Sequence, residues 1–245
     1  MSLSTLLVLA DGRLPSGAHA HSGGVEAAVA AGRVHDLPTL ESFLLGRTAT
    51  TGVVSATFAA ATCHALTGPA ANPTATPETA VAGPGERVGG ARVERVRDLD
   101  DGLDARTASP ALRAASRAQG RAVLRAATRI WPAGVARTPA LGSVHHPTAI
   151  GIAAAAAGLE PAQAGLVAVY GGLTGAASAA VRLLGLDPYA VHGLVAALAH
   201  ECDRVAADAA GRVDDPVDDL PAGSAPLLDV DAEHHATWEV RLFAS

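Results

Sequence analysis

Imidazole is the side chain in this sequence best suited to chemistry. His19 and His21 form an HxH, His145 and His146 are adjacent, His192, His200 and Cys202 fall within one predicted helix, and His234 and His235 are adjacent near the C-terminal end. Imidazole nitrogens ligate nickel, zinc and copper. An HxH on a loop can offer two of them to one ion, so His19 and His21 are candidate metal ligands. Adjacent residues on a helix point in different directions, so His145 and His146 chelate together only where the backbone is irregular. No pair comes with the third and fourth ligands of a closed site, and capping, packing or contact roles are the competing reading of each.

Catalytic signatures are missing from the sequence. It contains no P-loop, no GxSxG, no HExxH and no CxxC. Ser, His and Asp are present, but nothing local marks an activated nucleophile. The expectation is a chain without catalytic machinery; an unrecognised enzyme stays open only because triads assemble from distant residues. Arg113, Arg117, Arg121, Arg125 and Arg129 recur every fourth residue, with no acidic residue between Asp104 and Glu160. Such a ladder runs along one side of a helix. It is either a solvated face or a surface for an acidic partner, in this chain or another.

Helices must carry these residues. Short helices are expected at 3–10 and 22–31, the second capped by Ser22, and a longer one from Pro38 toward Leu66. Others run from Pro110 to Trp131, from Pro147 to about Gly158, from Pro161 to Leu184 and from Pro188 to Ala210. Proline in the first turn costs no hydrogen bond and marks several of these starts. Gly171 and Gly175 form a GxxxG whose small face is expected to serve the internal core, with a dimer seam as the alternative. Residues 68–90, rich in Pro, Gly, Thr and Ala, read as a loop or insertion. With few period-two runs, the fold class is all-α: a single-domain helical bundle over 1–210. Residues 211–245 read as a flexible acidic tail ending in a partner-docking segment.

Composition narrows the function classes. The 245 residues are 49% apolar and 17% charged, enough to bury a core. The net charge of −6 argues against nucleic acid as a partner. Two cysteines give no disulfide framework. The run Leu3 to Ala10 lacks the basic leader of a signal peptide. The stretch from Pro161 to Val181 is long enough to span a bilayer but is built of Ala, Gly, Ser and Thr without aromatic flanks, so a buried helix and no membrane role are expected.

Five segments in order together resemble one family, the urease accessory protein UreF: LPSGAHAHS at 14–22 with Glu26 following, SRAQGR at 116–121, HHPTAIG at 145–151, SAAVRL at 178–183 and RLFAS at 241–245. Departures are the LGLDP turn at 184–188, where the family has a Pro-Leu-Gly-Gln element, and histidines at 19 and 21 in place of an aromatic. The resemblance implies an all-helical, cytoplasmic, non-catalytic protein that often dimerises. It would assemble with a UreD/UreH-type accessory protein and the UreG GTPase to deliver nickel to apo-urease and modulate the GTPase. Nickel would be handled by the complex, with no cofactor resident in this chain. On that reading Arg241, Leu242, Phe243 and Ser245 anchor the partner, and Glu26, His146 and Arg182 lie at working surfaces. A histidine-rich metal-binding protein, or a helical adaptor of an unrelated pathway, is the alternative.

Overall fold

The computed structural model describes residues 3–68, 84–136 and 141–243, and among them every regular element is helical. The helices are α1 (Leu3–Ala10), α2 (Val25–Ala30), α3 (Leu37–Arg47), α4 (Val53–Thr67), α5 (Pro84–Ala105), α6 (Pro110–Ile130), α7 (Pro132–Val135), α8 (His146–Ala156), α9 (Pro161–Leu184), α10 (Pro188–Ala210) and α11 (Pro226–Ala236). Single 3-10 turns lie at Ala18–Ala20 and Val217–Asp219. A five-residue π turn, Thr48–Gly52, joins α3 to α4, so the helix expected from Pro38 onward is continuous but irregular.

Side-chain chemistry sets the helix starts. The Asp36 carboxylate accepts from Thr39 N (2.9 Å), while Thr39 Oγ1 accepts from Asp36 N (3.0 Å), a reciprocal cap. Ser109 Oγ accepts from Leu112 N at the head of α6 (3.1 Å), and Asp187 from Tyr189 N at the head of α10 (3.0 Å). Gly24 precedes α2, and Ser22 Oγ accepts from Glu26 N (3.3 Å), so Ser22 caps the helix from further back than expected.

The core forms around α9, which packs against α4, α8, α10 and α2. Alanine and glycine let these helices approach backbone to backbone. A Cβ on Gly151 of α8 would stand 2.6 Å from the Ala59 carbonyl of α4, and one on Gly120 of α6 only 2.1 Å from the Val144 carbonyl. Among the described residues α9 is the one helix long and apolar enough to cross a membrane; it lies in the middle of this packing.

Three expectations need correction. The loop read over 68–90 ends sooner, because Pro84 already begins α5; residues 69–83 lie outside the described residues. The GxxxG face does not pack into the core: a Cβ at Gly171 or Gly175 would meet open space, and both line a cavity. The segment after Ala210, read as a flexible acidic tail, is clamped along its length. Arg95 donates to the Asp215 carbonyl, and Arg106 to those of Val217, Leu220 and Pro221, while Leu220 is buried. Helix α11 then packs on α6 and α2, with Asp231 paired to Arg33. The carbonyls taken up by Arg95 and Arg106 explain how so acidic and Pro-rich a stretch is held. Guanidinium groups satisfy its backbone where no ladder can.

Candidate functional site

Glu26 lies on the first turn of α2 and is 6% exposed, a costly place for a carboxylate unless it is fully hydrogen-bonded. Its partners come from the far end of the chain. Oε2 lies 2.8 Å from His235 Nε2 and accepts from Phe243 N (3.1 Å), and Oε1 accepts from Leu242 N (2.7 Å). The carboxylate thus pins both α11 and the strap that follows it. Trp238 packs against His235, ring centroids 4.7 Å apart and planes tilted by 54°.

The strap has two sides. Phe243 is 5% exposed, and the Arg182 guanidinium at the end of α9 lies over its ring, 5.5 Å from the centroid. Arg182 Nη1 also donates to the His19 carbonyl (3.4 Å). Val240 and Leu242, by contrast, are 87% and 73% exposed, and Arg241 is exposed between them. Glu26, Arg182, Leu242 and Phe243, four residues singled out from three motifs, therefore meet at one place. Ser245 lies outside the described residues. His235 was missed by sequence reasoning, which paired it with His234; His234 is exposed and His235 buried.

His146 is not in this cluster. It begins α8 and faces the same large cavity that Phe243, Arg182, His19 and His21 line, about 590 Å³ in volume. Burial, with the charges of His21 and Arg47 adding, pushes its imidazole down to about 4. Burial also lowers His21, with His19 contributing. Among the described residues, no three His, Cys, Asp or Glu side chains converge as a metal-ligand set. His192 and His200 are exposed while Cys202 is buried, so the three do not meet.

His145 is the centre of a second network. Its Nδ1 lies 3.0 Å from Ser116 Oγ and its Nε2 3.0 Å from Asp104 Oδ1, the order of groups in a nucleophile–base–carboxylate relay. The surroundings make it a brace. Ser116 Oγ is occupied by the His146 N–H (3.0 Å), and Arg117 Nη2 neutralises Asp104 at 2.8 Å. The Arg117 guanidinium, with His145 adding, holds the Asp104 carboxyl below its usual range. Buried Asp100 accepts from His145 N, Thr148 Oγ1 and Arg117 Nη1. The brace ties α5, α6 and α8 together and takes up two of the five ladder arginines, Arg113 and Arg117 pairing with Asp104 and Asp100. Arg121 donates to Ser143 Oγ, and Arg125 and Arg129 face solvent.

A family model described as UreF matches residues 34–199. Proteins named urease accessory protein UreF are similar along the whole chain: 44% identical in Mycolicibacterium vanbaalenii, 46% in Mycobacterium sp. strain JLS and 40% in Mycobacterium tuberculosis H37Rv, each covering 100% of this chain and 99% of the relative. The chain belongs to the UreF family. The five motifs that resemble UreF occupy the two networks just described. SRAQGR and HHPTAIG supply Ser116, Arg117, His145 and Thr148 of the brace. The N-terminal motif, SAAVRL and the C-terminal RLFAS supply Glu26, Arg182, Leu242 and Phe243 of the tail site.

Proposed function

We propose that this UreF-family chain is a non-catalytic cytoplasmic scaffold of urease maturation. It assembles with a UreD/UreH-type accessory protein and the UreG GTPase, delivers nickel to apo-urease through that complex and modulates the GTPase, working as a homodimer. Nickel is cargo of the assembly on this reading, and His19 and His21 remain its candidate ligands within this chain.

One observation carries the assignment of the interface. The strap 240–243 is held from within by Glu26 and Arg182 while Val240, Arg241 and Leu242 point outward. Exposed apolar side chains flanking an arginine, on backbone already fixed, suit the energetic centre of a protein interface, and fixing the backbone beforehand lowers the entropic cost of docking. Arg241 and Leu242 are accordingly the exposed partner anchors, Ser245 joins them on the strength of its motif, and buried Phe243 roots the strap together with Glu26 and Arg182, with His146 lining the cavity behind. Removing residues 241–245 and co-expressing the truncated chain with the UreD/UreH-type protein tests this. Loss of co-purification with an unchanged circular dichroism spectrum is expected, and retained co-purification would contradict it.

A further inference from the structure

The large cavity adjoins a second one of about 200 Å³, and the two share a wall made by Gly23, Arg47, Ser55, Gln119 and His146. We propose that this collar binds a small oxyanion through the Arg47 guanidinium.

Arg47 stands at the end of α3, where the helix passes into the π turn Thr48–Gly52; such irregular turns recur at functional sites. Its Nε donates to the Gly23 carbonyl and its Nη1 to the Gly172 carbonyl, both at 3.1 Å. A Cβ on Gly23 would stand 3.0 Å from Nη2, and one on Gly172 2.8 Å from Nη1, so two glycines make room for the guanidinium. A guanidinium has five N–H donors, and these two bonds use two. No carboxylate among the described residues pairs with it, and the shared wall contains none. Ser55 Oγ, the Gln119 amide and the His146 ring make no side-chain hydrogen bond to a described residue, yet none is sealed away as a buried orphan. Unused donors of three kinds thus face the junction of two cavities around one uncompensated positive charge.

That set fits an oxyanion. The guanidinium fork matches two oxygens of a phosphate, bicarbonate or carboxylate, and a neutral imidazole, an amide and a hydroxyl can each donate one more hydrogen bond. A cation would meet the Arg47 charge. The carboxylates lining the two cavities are already engaged: Asp11 by Arg13, and Asp229 by Ser109 N. No strap residue belongs to the collar, so its test is independent of the proposed function.

The purified full chain is titrated with sodium phosphate and separately with sodium bicarbonate, following thermal midpoint and heat of binding, with sodium chloride at matched ionic strength as reference. A saturable rise with either oxyanion, beyond that with chloride, is expected; phosphate alone indicates a tetrahedral ligand and bicarbonate alone a planar one. Arg47→Gln should weaken the response at least about tenfold, the loss of one charge-assisted hydrogen bond. Because Arg47 also ties Gly23 to Gly172, Gln119→Glu provides a variant that keeps those ties. It places a carboxylate in the collar and should remain folded while losing the oxyanion response. A wild-type response no larger than that to chloride, or a full response in Gln119→Glu, would overturn the proposal.

Discussion

The carboxylate of Glu26 and the imidazole of His235 meet at 2.8 Å across 209 residues of sequence, both almost fully buried. That contact closes the chain on itself. It brings the start of α2 to the end of α11, and both oxygens of Glu26 also hold the backbone of the strap beyond. The order of residues 237–243 should therefore depend on one side chain.

Glu26→Ala leaves His235 and the N–H groups of Leu242 and Phe243 without their acceptor. Leaving a buried hydrogen-bonding group without its partner costs about 1–3 kcal/mol. The expected outcome is a lowered thermal midpoint and loss of hydrogen-exchange protection at Leu242 and Phe243. Glu26→Gln keeps one acceptor oxygen and should lose less. Unchanged exchange at both amides in Glu26→Ala would contradict the assignment.

A pH dependence follows from His146, whose imidazole lies at about 4 in the folded chain against 6.5 for the free side chain. Between those values the unfolded chain takes up a proton that the folded chain refuses. The His146 contribution to stability is therefore complete above about pH 6.5 and is lost as pH falls toward 4. At about 1.4 kcal/mol per unit the loss reaches roughly 3 kcal/mol. His146→Gln should flatten this part of the stability–pH curve measured by urea unfolding, and an unaltered slope would count against the burial argument.

Helix approach distances give a paired test. Gly120→Ala puts a methyl 2.1 Å from the Val144 carbonyl and must push α6 away from the brace at His145, whereas Gly46→Ala meets nothing within 4 Å. The first should cost at least about 3 kcal/mol by overpacking. The second should gain about 0.5–1 kcal/mol from helix propensity. Denaturant midpoints moving in opposite directions are the expected result.

The long helices α6, α9 and α10 were legible in the sequence because a proline stands in the first turn of each and apolar residues recur at helical spacing. The start of α5 was not, since Pro84 to Gly90 carry the composition of a loop. The arginine ladder was visible, but not its division. Arg113 and Arg117 find Asp104 and Asp100 on the preceding helix, a pairing set by how α5 lies on α6, and both acids lie before the acid-free stretch that flanks the ladder. The relay geometry at His145 depends on three helices and has no local signature. The acidic segment after Ala210 misled because its order comes from Arg95 and Arg106, more than a hundred residues away. Glu26, Arg182 and Phe243 were found through the resemblance of their motifs to a family, while their meeting at one site is visible only in the fold.

The most direct test of the maturation role is urease activity in a host expressing the urease subunits, the other accessory proteins and nickel, with this chain, without it, or with residues 241–245 removed. Urea hydrolysis is expected only with the full chain. Equal activity in the culture lacking this chain, with the full chain soluble and expressed in its own culture, would contradict it.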